Sequence, residues 1–216
     1  MINNILITSG HTIEPIDPVR YISNYSSGKT GYYIAEEAKK RSIKSITYIT
    51  GPSEYIPKGV DIVKIKTAME MREQVMKYYD RVDLVIMAAT VSDYSSLKIY
   101  TDKIKKNDDT LTLRLVKNPD ILSELGRKKK NQLLVGFAAE TENIFENGNK
   151  KFKNKNLDLL VLNEISENNP AFDVDDNQVY FISDNGMKAN KKMKKWEIAN
   201  KLWDEIESLN QNRRIK

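Results

Sequence analysis

A chain of 216 residues with 40% hydrophobic side chains has enough apolar surface for one sizeable core, so a single domain over residues 1–216 is expected. The absence of cysteine excludes a disulfide framework, a thiol nucleophile and a thiolate metal site; His11, the single histidine, rules out a multi-His zinc site as well, and no metal-ligating residue is assigned. The net charge of +5, from 35 basic and 30 acidic residues, is a mild excess that favours anionic ligands without making a single-sign surface.

In chain order, "MINNILITSG" has neither the basic start nor the apolar length of a signal peptide, and the longest apolar runs are strand-sized. A cytoplasmic protein with no membrane segment is expected. After the strand "NILIT", the stretch "SNYSSGKTG" (Ser23 to Gly31) resembles the end of a phosphate-binding P-loop, but the required first glycine position holds Ser23. A helix over Thr30 to Arg41 leads to the strands "SITYIT" and "DIVKIKT", then a helix over Ala68 to Asp80 and the strand "DLVIMAA". Residues 92–110, "SDYSSLKIYTDKIKKNDDT", are too long and polar for a simple connection and predict an extended functional arm. Beyond it come the strand "LTLRLV" and a helix over Pro119 to Lys130, with Asn118 as N-cap and Pro119 in the first helical position.

The strand "LLVGFAA", a helix over Asn143 to Asn156, and the strands "LDLLVLN" and "QVYFIS" follow. The last helix, Lys194 to Leu209, carries Trp196, Ala199, Trp203 and Ile206 as one apolar stripe facing the sheet. The runs "RKKK" (127–130) and "KKMKKW" (191–196) read as solvated surface, so no nucleic-acid partner is expected. Strands alternating with helices of about a dozen residues define an α/β fold: a three-layer, Rossmann-like, mostly parallel sheet flanked by helices.

In such a sheet, ligands sit beyond the carboxyl ends of the strands. "TSGHT", "ATVSD", "AAET" and "NEIS" each follow a strand and converge there. No G-x-G-x-x-G follows the first strand, and "TYITGPS" has no acid to hold a ribose, which disfavours an NAD(P)-binding reductase. A nucleic-acid-binding α/β module is supported only by the lysine runs.

Seven ordered blocks carry a resemblance to a known family: "ILITSGHTIEPIDPVRYISNYSSGKTGYYIAEEAKKRS", "AATVSDY", "KIKK", "LVKNPDIL", "VGFAAET", "NKNLDLLVLNEI" and "FDVDDNQV". They resemble phosphopantothenoylcysteine synthetase (phosphopantothenate-cysteine ligase) over nearly the whole chain, in its stand-alone bacterial form. The resemblance implies CTP-dependent joining of 4'-phosphopantothenate and L-cysteine through an acyl-cytidylate, with ATP as the alternative nucleotide. It further implies Mg²⁺ accompanying the triphosphate, no flavin, and a homodimer in which the 92–110 arm reaches the neighbouring subunit.

By the same resemblance, Asn24 handles the acyl-cytidylate, and Lys103, the first lysine of "KIKK", meets the triphosphate; these two are the expected catalytic residues. Ser26, Ser27 and Gly28, with Asn24, bind the acyl substrate. Met87, Asp93, Asn118, Pro119, Asp120, Ile121 and Phe137 surround the nucleotide, and Lys151 and Lys155 lie near its phosphates. Two residues depart from the family pattern: His11 stands where proline is common, and Ile13 where arginine is frequent.

Overall fold

The computed structural model describes residues 2–106, 109–166, 169–170 and 174–215. In chain order the elements are β1 (Asn4–Ser9), β2 (Ile13–Pro15), β3 (Tyr21–Ser23), α1 (Lys29–Lys40), β4 (Ser45–Thr50), β5 (Asp61–Lys64), α2 (Ala68–Tyr79), β6 (Leu84–Met87), β7 (Tyr94–Ser96) and β8 (Leu115–Lys117). They continue with α3 (Ile121–Lys128), β9 (Leu133–Glu140), α4 (Ile144–Asn154), β10 (Leu159–Glu164), β11 (Asp176–Asn177), β12 (Val179–Ser183), β13 (Gly186–Ala189), β14 (Met193–Lys194) and α5 (Lys195–Ile215).

The central sheet runs β13-β12-β10-β9-β6-β1-β4-β5. The strands from β10 to β5 are parallel, and β12 and β13 extend one edge as an antiparallel hairpin. Strand alternation divides the core into two layers. Ile5, Ile7, Leu84, Ile86, Val135 and Val161 face α1 and α5, while Leu6, Val85, Leu134 and Leu160 face α2, α3 and α4. The expected three-layer architecture holds. Trp203 of α5 is 1% exposed, and its indole N–H donates to the Ile34 carbonyl of α1 at 3.0 Å, tying those two helices together. Truncating such a side chain costs about 3–5 kcal/mol.

Three local expectations are corrected. The N-cap of α3 is Asp120, whose carboxylate accepts from Ser123 N–H at 3.0 Å, not Asn118. Proline disfavours helical backbone in the residue before it, so Asn118 stays outside the helix and its amide donates to the Ser92 carbonyl at 2.8 Å. Of "LTLRLV", only Leu115–Lys117 is strand, and it pairs antiparallel with β7 in a separate ribbon instead of joining the central sheet. Its side chains are exposed, so no core selects it for the sheet. Finally, the buried stripe of α5 runs through Lys195, Ile198, Ala199, Leu202, Trp203 and Ile206; Trp196 lies on its margin and is 54% exposed.

Candidate active site

The sheet order reverses between β1 and β6, and the carboxyl ends of these neighbours open a crevice of the kind that binds ligands in open α/β sheets. Past β1 the chain turns at Gly10, whose φ of +71 suits glycine, and Gly10 O accepts from Thr90 N–H at 2.8 Å beyond β6.

A cavity of about 490 Å³ opens on the β6–β9 side of the crevice. Met87, Asp93, Asn118, Pro119, Asp120, Ile121, Phe137 and Lys155 all line it, so most residues expected around a nucleotide meet in one place. Met87 and Phe137 come from adjacent strand ends, and Asn118 to Ile121 form the entry to α3. Lys151 lies one helical turn from Lys155 in a contiguous hollow that shares Asp120 and Lys155 with this cavity. Both lysines already hold carboxylates: Lys155 pairs with Asp120 at 3.0 Å, and Lys151 pairs with Glu140. Burial pushes the Asp120 carboxyl up, but hydrogen bonds from the Ser123 N–H and hydroxyl and the Lys155 ammonium outweigh it, leaving the group below the usual carboxylate range.

A smaller cavity, about 60 Å³, shares the Phe137 wall. It is lined by Ser26, Ser27 and Gly28, by the first turn of α1, and by Ala88, Thr90 and Lys195. Gly28 caps α1 with φ 80, a left-handed conformation, and leaves the first N–H groups of the helix at the cavity. Asn24 is half-buried just before this loop, its amide 3.4 Å from the Val91 carbonyl, and Val91 lines the larger cavity. The loop thus lines the smaller cavity and touches the wall of the larger one through Val91.

Lys103 is exposed and lines neither cavity of its own chain. Its position is nonetheless defined by its neighbour. Asp17 Oδ2 accepts from Ile104 N–H at 3.1 Å, and Arg20 Nη2 donates to Ile104 O at 2.6 Å. Burial raises the Asp17 carboxyl, yet the N–H groups of Val19, Ile104 and Arg20 and the Arg20 charge together hold it below the ordinary range. In the same segment Glu14 accepts from Ala68 N–H at 2.9 Å, capping α2. "EPIDPVR" is thus a brace that fixes the root of the arm.

Two further crevice residues were not expected. Ser92 is buried in the wall of the larger cavity, and its hydroxyl has no hydrogen-bond partner among the described residues; the sequence places it at the crevice within "ATVSD" but gives it no role of its own. Lys195, from a run expected to be solvated, is 5% exposed and lines the smaller cavity. Its spacing from Ala199, Leu202 and Ile206 is the helical signal that places it on the buried face. His11 contributes Nδ1, 2.8 Å from the Ser26 carbonyl, and so steadies the loop before α1. Within "FDVDDNQV", Phe172 and Asp173 lie outside the described residues, as do Asn107 and Asp108 of the arm.

A mostly parallel sheet with a helix N-terminus and a polar cavity at its switch point defines an open α/β protein of the class whose ligand crevice lies beyond the carboxyl ends of the strands. Residues 2–209 match the DNA/pantothenate metabolism flavoprotein C-terminal domain, and the chain belongs to that family. Over 202 residues it is 44% identical to the coenzyme A biosynthesis bifunctional protein CoaBC of Borreliella burgdorferi, covering 92% of this chain and 50% of that protein. The corresponding Bacillus subtilis protein is 42% identical over 209 residues, covering 95% and 51%. The chain therefore spans about half the length of these curated relatives. Among solved structures, the C-terminal domain of a CoaBC protein superposes with a TM-score of 0.83 at 34% identity, covering 97% of this chain and 96% of that one. A Cab2 mutant in complex with phosphopantothenate-cysteine, at 17% identity and a TM-score of 0.76, covers 98% of this chain and 89% of its own and shares the fold.

Proposed function

We propose that this chain joins 4'-phosphopantothenate to L-cysteine at the expense of CTP, a step of coenzyme A biosynthesis. The observation that carries the reading is the pair of cavities meeting at Phe137: one is large enough for a nucleotide, the other is small, polar and set at the start of α1. In the first step the substrate carboxylate attacks the α-phosphorus of CTP, forming an acyl–phosphate anhydride bond and expelling pyrophosphate. In the second, the cysteine amine attacks the acyl carbon, CMP leaves with the bonding pair, and the amine loses a proton.

The entry to α3 supplies backbone groups for the base edge, and Phe137 and Met87 supply apolar walls. Lys151 and Lys155 exchange their carboxylate partners for the triphosphate, a richer acceptor set. The Ser92 hydroxyl gains its missing partner from the ligand. Asn24, between the cavities, donates to the acyl-phosphate as negative charge builds there. The Asp93 carboxylate, exposed at the cavity, would offer an oxygen to a Mg²⁺ bound to the triphosphate, which would supply charge neutralisation there.

Lys103 acts at the crevice of a second copy, making the enzyme a homodimer. The apolar side chains at the arm and the β2–β3 hairpin support this: Tyr21 is 56% exposed, Leu97 52% and Ile99 61%.

The test is release of pyrophosphate and nucleoside monophosphate from CTP and, separately, ATP, with phosphopantothenate and cysteine each present or omitted. CTP turnover that requires phosphopantothenate supports the reading; turnover with ATP alone overturns the choice of base, and none with either overturns the ligase. Lys103→Gln is expected to stop pyrophosphate release, whereas Asn24→Ala is expected to retain it and lose the cysteine adduct.

A further inference from the structure

Strands β4 and β5 are parallel neighbours, and such pairs are usually joined through a helix. Here the link is the helix-free segment 51–60, which starts at the carboxyl end of β4 and, with the start of α2, encloses a cavity of about 490 Å³. It equals the proposed nucleotide cavity in size, which is enough for a small organic molecule, yet the two share no lining residue. Pro52, Ile56 and Ile65 supply apolar walls, and Lys64 and Lys66 line the cavity beside them. Neither ammonium has an ion-pair or hydrogen-bond partner among the described residues. The carboxylate in the lining, Glu70, is already engaged: it accepts from Lys66 N–H at 2.7 Å, while Glu70 N–H donates to Thr67 Oγ1 at 3.2 Å, a reciprocal cap on α2. An apolar cavity with two uncommitted ammonium groups suits an anion with an apolar body. The cavity also shares a wall with the crevice. Pro52 and Ser53 line it on one side and, on the other, the hollow that holds His11, Ser26 and Ser27. The Ser53 hydroxyl donates to Ser27 O at 2.7 Å and accepts from Tyr55 N–H at 3.0 Å, so one side chain ties this wall to the loop before α1.

We infer that the cavity between the 51–60 segment and α2 is a regulatory site for a singly charged anion with an aromatic or branched aliphatic body. The charged head is held by Lys64 and Lys66, and the body lies on Pro52, Ile56 and Ile65. The cavity is open in the same arrangement in which Ser53 holds Ser27, so an occupant stabilises that arrangement and makes opening of the loop rarer. Linkage is reciprocal: an occupant that steadies the loop favours whatever the loop binds, and is favoured by it. Only the consequence for phosphopantothenate affinity rests on the ligase reading; the site and its hold on the loop stand on the cavity and the Ser53 hydrogen bonds.

The test uses two fluorescent probes, the aromatic anion anilinonaphthalenesulfonate and the neutral N-phenylnaphthylamine, with the full chain and with Lys64→Gln/Lys66→Gln, Ile56→Asp and Ser53→Ala, each checked for folding by circular dichroism. The double lysine variant is expected to weaken the anion by about tenfold or more, the scale of one lost charge-assisted hydrogen bond, and to leave the neutral probe within about twofold. Ile56→Asp should weaken both. Hydrogen exchange reports the loop: the anion should slow the amides of Ser26 to Lys29 about threefold or more in the wild type and not in Ser53→Ala, which should keep its affinity for the anion within about threefold. No binding of the anion, or unchanged affinity in the folded double lysine variant, overturns the site. Unchanged loop exchange on binding, or slowing that survives Ser53→Ala, overturns the coupling. The anion should also tighten phosphopantothenate about threefold in calorimetry, and weakening instead overturns the regulatory role. A wild-type chain whose loop slows with the anion but which binds no phosphopantothenate refutes the ligase reading alone.

Discussion

Replacing Gly28 by alanine tests how the substrate loop is held, and Gly59 provides its control. Both glycines are left-handed, with φ of +80 and +73. A Cβ at Gly59 meets nothing within 4 Å, so Gly59→Ala registers only the backbone penalty of about 1–2 kcal/mol. A Cβ at Gly28 falls 2.5 Å from Ser53 Oγ and 3.2 Å from the Gly10 nitrogen. Ser53 cannot swing away freely, because its hydroxyl donates to Ser27 O at 2.7 Å and accepts from Tyr55 N–H at 3.0 Å. Overpacking adds about 1–3 kcal/mol, for a total of about 2–5 kcal/mol. Urea unfolding of the two variants measures the difference directly, and for a chain of this size each kcal/mol moves the melting temperature by about 2–4 °C. Gly28→Ala should also raise the KM for phosphopantothenate, since the displaced loop carries Ser26 and Ser27. Costs that agree within about 0.5 kcal/mol would show that Ser53 does not pack the loop as described.

Two further outcomes follow from the brace and from the helix ion pairs. Asp17→Asn removes the charge that gathers the N–H groups of Val19, Arg20 and Ile104, so the arm should be cut faster in limited proteolysis and turnover should fall more than phosphopantothenate affinity. Arm protection and kinetics unchanged from wild type would show that the brace does not control Lys103. On acidification, Glu37 and Asp120 act together. Burial raises Glu37, but Lys40, Arg41 and Asn200 outweigh it, and its folded value, like that of Asp120, is lowered. Their stabilisation is therefore complete above the unfolded values of about 4 and is lost as pH falls through the lower folded values. The urea midpoint should hold from neutral pH to about 5 and drop below about 4, and Glu37→Gln should reduce both the neutral stability and the acid slope; an unchanged acid slope would remove Glu37 from the account.

The strands of the central sheet are legible in the sequence because parallel strands covered on both faces read as unbroken apolar runs, as in "LVIM" and "LDLLVL". Ile13–Pro15, Tyr21–Ser23 and Tyr94–Ser96 are three-residue strands of small ribbons and are too short to show a period. The cavity residues around Asn118–Ile121 and Phe137 are legible through the family blocks. Ser92 and Lys195 are not, because their significance lies in what faces them. The serine hydroxyl matters only as a buried group without a partner among the described residues, and the lysine only because the first turn of α5 opens on the end of β6. The Asn118 cap is misplaced by two residues because "NPD" offers two capping side chains, and only the carboxylate of Asp120 reaches the Ser123 N–H.

The strand order is that of the dinucleotide-binding fold, with β1 flanked by β4 and β6, yet the glycine-rich turn is replaced by residues 11–27. This insertion leaves the helix where a phosphate-binding helix belongs. Ser9 Oγ at the end of β1 donates to Gly28 O at 3.0 Å, and Gly31 lies so close that a Cβ there would fall 2.4 Å from Ser9 Oγ. On the β4 side, a Cβ at Gly51 would fall 1.7 Å from the His11 carbonyl, so the turn after β4 is packed directly on the inserted segment. That packing puts the inserted segment against the turn after β4, and the hollow left there is lined by His11, Ser26, Ser27 and Pro52 to Tyr55 instead of a glycine-rich turn. The start of α1 stays at the crevice, whose larger cavity opens on the β6 and β9 side. On the proposed reading, the nucleotide and the phosphorylated substrate would meet at Phe137, the wall the two cavities share.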